Sequence, residues 1–348
     1  MSIVYHERPG VYSDYTVSRL TASGGEKQIL AMAAYSTAKT GLYTVTARES
    51  GLAAFGSGST LGKMLAAAYD NGAGTVLVYS MDSTEKEAYE AAFDALLSQK
   101  KAALICTDSH DAAVQAALAA ALQASAGQKG ECIGIVGMED PTAEQLLERA
   151  AALDCERMVL VGPDVYDGAS LAGGCVAAAA LGGLLAGETD PALPLNGAKL
   201  QSVDGVCAAY SETEIDALVR GGVTVLEASG GAVSVLRGIT TRQTVGDGRD
   251  TTWRELTTVR ICDDVIPGIR NALAARFSRA KNNAVTRSAI YTQVLLELES
   301  RVRREIIDGY ENLSVEPSAE DACVCRVKFG FTVTHGLNRI HLTANISV

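Results

Sequence analysis

From about residue 60 to residue 226 the chain repeats one pattern: a short unbroken apolar run, then a longer stretch with helical spacing. The apolar runs are 75–79 (TVLVY), 102–106 (AALIC), 132–136 (CIGIV), 158–161 (MVLV) and 223–226 (VTVL). Between them, helices are predicted over 84–98, 111–124, from Thr142, over 170–186 and over 212–220. Pro141-Thr142-Ala143-Glu144 supplies a helix start, and Gly221-Gly222 a helix stop. A strand half-exposed to water alternates in polarity, whereas these runs are almost continuously apolar and so are expected to be covered on both faces. The pattern therefore predicts an α/β fold: a central, mostly parallel sheet sandwiched by helices. Ser229-Gly230-Gly231, between 223–226 and 233–236, marks a hairpin at its end.

The last hundred residues change period. After a Gly-, Thr- and charge-rich stretch at 238–250, read as a linker or exposed loop, helices are expected at about 264–280 and 284–308. Strict alternation follows. Cys323, Cys325, Val327, Phe329, Phe331 and Val333 share one face, and Arg326, Lys328, Gly330, Thr332 and Thr334 the other. Beyond Gly336-Leu337-Asn338 the alternation resumes with Ile340, Leu342, Ala344, Ile346 and Val348, which predicts a terminal antiparallel β-hairpin between the two stretches. Residues 1–20 have few, irregular apolar positions and a turn at Pro9-Gly10, so they read as an extended N-terminal arm with no core of their own. The expected organisation is an arm (1–20), an α/β domain (21–240) and an α+β C-terminal domain (241–348).

The 348 residues leave room for about two domains. With 47% hydrophobic and 20% charged residues the chain is neither disordered nor fibrous. The small-residue stretch 171–186 falls short of the roughly 18 apolar residues of a membrane span, and the first residues, MSIVYHE, lack the pattern of a signal peptide. Folding in the cytosol is the expectation, with the eight cysteines as buried thiols rather than disulfides. A net charge of −11 argues against a general nucleic-acid binder. Residues 241–348 hold 15 Lys/Arg against 13 Asp/Glu, leaving 15 against 28 for residues 1–240. The first part is thus expected to supply no basic lining, and the two parts to meet different surfaces.

Several local patterns invite a chemical reading. Gly56-Ser57-Gly58-Ser59-Thr60-Leu61-Gly62-Lys63 resembles a phosphate loop, but Ser57 stands where a glycine is required and Met64 where a Ser or Thr would hold magnesium. It is read instead as a loop capping a helix over 60–69. Cys323-Val324-Cys325 is half of a metal site at most, and the period-two pattern makes both cysteines core residues. Thr107-Asp108-Ser109-His110-Asp111 lies between a strand and a helix, where α/β sheets place active sites. Neighbours on one loop rarely converge as a triad, and Asp108 or Ser109 as a helix N-cap is the simpler reading. Arg270, Arg276, Arg279, Lys281 and Arg287 form a positive segment with no intervening Asp or Glu, suited to an acidic partner.

Five short motifs recur in order along nearly the whole chain: Arg8-Pro9-Gly10-Val11-Tyr12; Ala68-Tyr69-Asp70-Asn71-Gly72-Ala73-Gly74; Ala186-Gly187-Glu188-Thr189-Asp190-Pro191; Gly222-Val223-Thr224-Val225-Leu226 through Arg237-Gly238-Ile239-Thr240-Thr241; and Trp253-Arg254-Glu255-Leu256 with Asp263-Asp264-Val265. Together they resemble the contractile tail sheath proteins of phages and related contractile injection particles. Ala73 departs from the family's second glycine. The resemblance implies a structural subunit, not an enzyme, that stacks as hexameric rings around an inner tube and contracts to drive the tube through a cell envelope. It implies linking arms at both ends, carried here by Val4, Tyr5, Pro9, Gly10, Val11 and Tyr12 and by Ile340, Leu342, Ala344, Ile346 and Val348. The C-terminal domain would face an acidic inner tube through part of the Arg270–Arg287 segment. On one helix, Arg276, Arg279 and Lys281 come nearest to a single face, with Arg270 and Arg287 left for sheath neighbours. Implied partners are other copies of the chain, the inner tube protein, baseplate and tail terminator proteins. No cofactor, metal, nucleic acid or direct membrane insertion is expected, and the particle would be a virion tail or injection particle assembled in a bacterial cytoplasm. The competing reading is a cytosolic α/β enzyme with its site near Thr107–Asp111.

Overall fold

The computed structural model describes residues 27–168, 170–245, 248–338, 340 and 342–344. The arm expected over 1–20, with Val4, Tyr5, Pro9, Gly10, Val11 and Tyr12, lies outside the described residues, as do Ile346 and Val348.

The elements run in the order β1 (Ile29–Tyr35), β2 (Gly41–Val45), α1 (Arg48–Phe55), α2 (Thr60–Asp70), β3 (Val76–Met81), α3 (Lys86–Ser98), β4 (Ala102–Thr107), α4 (Ala112–Gly127), β5 (Ile133–Gly137), α5 (Ala143–Leu153) and β6 (Met158–Gly162). There follow β7 (Val165–Asp167), β8 (Ser170–Leu171), α6 (Gly174–Gly187), β9 (Ala198–Leu200), β10 (Gly205–Val206), α7 (Glu212–Arg220), β11 (Val223–Ser229) and β12 (Ala232–Val235). The last part contains β13 (Thr244–Val245), β14 (Gly248–Arg249), α8 (Leu256–Phe277), α9 (Ala284–Arg303), β15 (Ile307–Pro317) and β16 (Cys325–Val333).

A nine-stranded sheet in the order β2-β3-β1-β4-β5-β6-β11-β12-β9 is the centre of the molecule. From β3 to β11 every pairing is parallel; β2, β12 and β9 join antiparallel at the two ends. The β11–β12 hairpin turns on Gly230 and Gly231, both at positive φ (59° and 78°), the geometry that favours glycine in a two-residue turn. Side chains on successive residues of one strand leave on opposite faces, so the unbroken apolar runs build two cores. Leu30, Met32, Val76, Val78, Leu104 and Ile135 pack under α2 and α6; Ala31, Ala33, Leu77, Ile105, Val136 and Leu160 pack under α3, α4 and α5.

Helix α6 is apolar all round because it is covered on all sides, lying between the sheet and α2. A Cβ on Gly183 would come within 2.2 Å of the Ala68 carbonyl oxygen, so the two helix backbones nearly touch. Capping follows local chemistry. Thr142 and Ser211 form capping boxes with Gln145 and Glu214, and Asn283 accepts the Thr286 N–H. The α4 cap is Asp111, which accepts the N–H groups of Ala113 and Val114 at 2.6 and 3.1 Å; it is neither Asp108 nor Ser109.

A third core belongs to the C-terminal part. Ile261, Val265 and Ile269 of α8 meet Val294 and Leu298 of α9, with Ile306 and Ile307. The expected alternation is real: Val327, Phe329, Phe331 and Val333 turn towards this core, while Arg326, Lys328 and Thr332 are exposed. The hairpin partner differs from the expected one. Among the described residues β16 pairs with β15, and Ile340, Leu342 and Ala344 are not in a strand. The helix expected over 284–308 ends at Arg303, because Ile306 and Ile307 are needed in the core beneath the hairpin. Cys323 is exposed and Cys325 half-buried, since the strand begins only at Cys325; neither is a core thiol. The stretch at 238–250 is not wholly exposed either. Ile239, Thr240 and Thr241 are buried, and Thr224 Oγ1 accepts the Ile239 N–H and donates to its carbonyl. No helix among the described residues is long and apolar enough to cross a membrane.

Candidate functional site

In the sheet, β3 lies on one side of β1 and β4 on the other, so the winding reverses at β1. A crevice at such a reversal, outside the carboxyl ends of the strands, is where open α/β sheets bind ligands. Here it is filled. Asp108, just past β4, accepts the backbone N–H of Tyr35 at 2.9 Å and the hydroxyl of Tyr89 at 2.7 Å. Burial pushes the Asp108 carboxyl above its ordinary range despite these donors, and raises the Tyr89 hydroxyl as well. Thr107 Oγ1 accepts the Ser109 N–H, Ser109 Oγ accepts the Asp111 N–H, and His110 Nδ1 lies 3.4 Å from the Gly137 carbonyl. The segment 107–111 is thus occupied with tying β1, β4, β5 and α4 together. The glycine-rich loop before α2 is likewise a cap: Ser59 Oγ accepts the Gly62 N–H, and a Cβ on Gly62 would meet the Gly56 oxygen at 1.9 Å.

The polar chemistry of the molecule gathers where α8 meets the α/β body. Arg157 donates to both oxygens of Asp263 at 2.9 and 3.0 Å, and Arg270 to both oxygens of Glu131 at 2.8 and 3.2 Å. Arg157 and Glu131 come from the loops before β6 and β5; Asp263 and Arg270 lie on α8. Two bidentate pairs therefore bolt the helix to the sheet. A third guanidinium, Arg301 of α9, reaches Asp264 at 2.8 Å and Glu297 at 2.9 Å, closing the α8–α9 pair.

The positive segment of the sequence is divided by the structure. Arg270 is committed to Glu131 and half-buried. Helix α8 ends at Phe277 and α9 begins at Ala284, so Arg276, Arg279, Lys281 and Arg287 do not share one helix face. They gather instead around the tip of a helical hairpin. Arg276 donates to Gln293 at 2.8 Å and lies over the Phe277 ring, Arg287 donates to Asn282 at 3.0 Å, and Arg276, Arg279 and Lys281 are exposed.

Two further features concern the chain's end. Among the described strands β15 and β16 pair only with each other, so each keeps one open edge. After β16 the chain is held against the α/β body: Asn196 donates to Asn338 at 2.7 Å, and Gly336 passes Pro194 so closely that a Cβ would meet its ring at 2.9 Å. Beyond this point Ile340 and Leu342 are 79% and 91% exposed.

The feature that the sequence hid is a basic cleft of about 340 Å³ between α8 and the loops before β4 and β5, lined by Lys100, Lys101, Lys129, Arg260 and Arg270 with Glu131 and Asp263. The expectation that residues 1–240 supply no basic lining is wrong locally. Lys129 is distant in sequence from Lys100 and Lys101 but lines the same cleft, because β4 and β5 are neighbours in the sheet.

Comparison with known proteins agrees with this architecture. Residues 82–241 match the model of the phage tail sheath protein central domain, and residues 249–347 that of the phage tail sheath C-terminal domain. The chain belongs to the phage tail sheath family. A tail sheath protein of Bacillus phage SP01 is 30% identical over 219 residues, 61% of this chain and 38% of the relative's length. Among solved structures, the anti-feeding prophage baseplate superposes with a TM-score of 0.78 at 16% identity, covering 99% of this chain and 100% of that one. The same prophage's helical sheath in the contracted state gives 0.75 at 17%, again covering 99% and 100%. A sheath tail protein of Desulfitobacterium hafniense gives 0.72 at 13%, covering 93% and 100%.

Proposed function

We propose that the chain is the structural subunit of a contractile tail sheath, stacking as hexameric rings around an inner tube and shortening to drive that tube through a cell envelope. The observation that carries the reading, beyond family membership, is the two-stranded β15–β16 sheet, whose two edges are open among the described strands, followed by the exposed Ile340 and Leu342. Backbone groups on an open edge are a template for a strand from another chain. The arm residues Val4, Tyr5, Pro9, Gly10, Val11 and Tyr12 of one copy, and Ile340, Leu342, Ala344, Ile346 and Val348 of another, complete that sheet and keep neighbours linked while their bodies slide. Residues 1–20, 21–240 and 241–348 then act as linking arm, outer body and inner layer. The tip residues Arg276, Arg279 and Lys281 face an acidic tube surface, while Arg270 and Arg287 serve the fold and its neighbours. Contraction draws on an extended packing relaxing to a better one, so the chain works without catalysis, nucleotide or metal. Its partners are copies of itself, the tube protein, the baseplate and the tail terminator, in a virion tail or injection particle assembled in a bacterial cytoplasm.

Negative-stain microscopy of the purified chain tests this. Tubes or striated rods are expected, and a compact globular dimer refutes the reading. Deleting residues 1–18 or 340–348 is expected to leave the α/β body folded, by circular dichroism and melting, and to stop polymerisation. Tubes of normal length after both deletions remove the arm-exchange mechanism.

A further inference from the structure

The basic cleft beside α8 is not explained by the fold alone. Its two carboxylates, Glu131 and Asp263, are each taken up by a bidentate guanidinium. Lys100, Lys101 and Lys129 stand exposed on its rim, and among the described residues none has an acidic partner. Arg260, 3% exposed, lines the cleft from below; it donates to the Glu188 carbonyl at 3.3 Å, but its Nε and Nη1 have no hydrogen-bond partner. Burial lowers its pKa to about 10, against the more distant fields of Glu188 and Asp190. Lys100, Lys101 and Lys129 also follow helix carboxyl ends, where a cation is favoured. That accounts for each lysine singly, not for their convergence beside an unfinished guanidinium.

The opposite end of the same strand has the opposite charge. β5 starts at the cleft and ends at a turn carrying Glu139 and Asp140, both exposed, with Glu144 and Glu148 exposed along the helix that follows. Asp140 adopts a positive φ of 40°, held by its N–H on Asp164 Oδ2 at 3.3 Å, so the turn has a fixed shape. None of these four carboxylates is held by a lysine or arginine among the described residues. A five-residue strand spans about 17 Å at ~3.3 Å per residue. One rigid element thus joins an acidic knob to a basic socket.

We infer that the cleft receives the Glu139–Asp140 turn of a second copy of this chain, in a head-to-tail contact running along β5. A contact between two different patches of identical chains does not close on itself as a two-fold dimer; repeated, it builds rings or open helices. The chemistry of the occupant is that of paired carboxylates, opposite in charge to the lysine rim. Assembly of copies is the premise taken from the sheath reading; the cleft and the turn are the added claim.

The test uses the full chain and two exposed charge reversals. One variant carries Lys100→Glu, Lys101→Glu and Lys129→Glu, and the other Glu139→Lys and Asp140→Lys. Both are expected to melt within a few degrees of wild type and to lower the pelletable polymer fraction at least tenfold at low salt. Mixed one to one, they are expected to polymerise again, because each supplies the charge that the other lacks. Variants that polymerise like wild type overturn the inference and leave the sheath reading standing. Variants that fail alone and also fail together overturn it too, since the cleft then serves some other acidic surface. A wild-type chain that never polymerises removes the sheath reading and the docking inference with it.

Discussion

Arg157, from the loop before β6, grips both carboxylate oxygens of Asp263 on α8, across 106 positions of sequence. The side chains are only 13% and 19% exposed, so the pair sits largely out of water. Removing one partner of such a pair leaves a desolvated charge behind. A fully buried pair costs about 3–5 kcal/mol to break in this way, and partial exposure here lowers that to about 2–3 kcal/mol. Asp263→Ala should therefore lower the unfolding free energy by that amount, read from a denaturant titration. Replacing both partners together, Arg157→Met with Asp263→Leu, should recover most of the loss. A single variant as stable as wild type would show that the helix docks by its apolar face alone.

Acid should weaken the second clamp, Glu131 with Arg270. Burial acts to raise Glu131, but the hydrogen bonds and charge of Arg270 outweigh it and hold the carboxyl below its ordinary range. Asp154 is likewise held low, against burial, by the hydroxyl of Thr244 and the N–H groups of Gln243 and Thr244. A depressed carboxyl contributes stability above its unfolded pKa of about 4, and that contribution is lost as pH falls through the lower folded value. The share of stability held by Glu131 and Asp154 should be lost between about pH 5 and pH 3, opposed by Asp263, whose carboxyl burial holds above its ordinary range, and Glu131→Gln should make the loss shallower. Melting temperatures of both proteins at pH 7, 5 and 4 measure it.

The α2–α6 contact tolerates no side chain at Gly183. With the Ala68 oxygen 2.2 Å from a Cβ placed there, Gly183→Ala must force the helices apart. We expect a loss at or above the ~1–3 kcal/mol usual for overpacking, because the obstructing atoms are backbone and cannot rotate away. Gly58, whose Cβ would meet nothing within 4 Å, is the control: Gly58→Ala should stay within about 0.5 kcal/mol of wild type.

Charge reversal at the helical-hairpin tip, Arg276→Glu with Arg279→Glu, should impair sheath growth on purified tubes while tube-free polymers still form. Exposed pairs are worth on the order of 1 kcal/mol or less each, so the defect should be greatest at low salt. Equal growth of the variant and wild type on tubes would show that the tip faces elsewhere.

The sheet was readable where its strands are buried on both faces, because Val76, Leu104, Ile133 and Val159 sit in unbroken apolar runs bounded by helix signals. β1 escaped although it is central: three of the seven residues of ILAMAAY are alanine, whose strand preference is weak, and burial rather than propensity makes it a strand. β15 escaped for the opposite reason. IDGYENLSVEP is mostly polar and half-exposed, with register shifts after Ile307 and Glu311, so the alternation of β16 was assigned the wrong partner. The basic cleft was illegible because Lys100, Lys101, Lys129 and Arg260 meet only once the strand order is known. The positive tip is legible as composition but not as shape, since one face for Arg276, Arg279 and Lys281 needs a single helix and α8 stops at Phe277.

The two guanidinium–carboxylate clamps also set a mechanical property. They fix α8 at Asp263 and Arg270, while the helix runs on to Phe277. From Asp263 to Phe277 is about 21 Å at 1.5 Å per residue. The helix is therefore a lever with its fulcrum in the sheet: turning the body by about 10° about Asp263 swings the far end by about 3–4 Å. A displacement of that size exceeds the reach of a hydrogen bond. A modest rotation of the outer layer is thus enough to exchange every polar contact the tip makes with another chain, with no bend in the helix and no change inside the three cores.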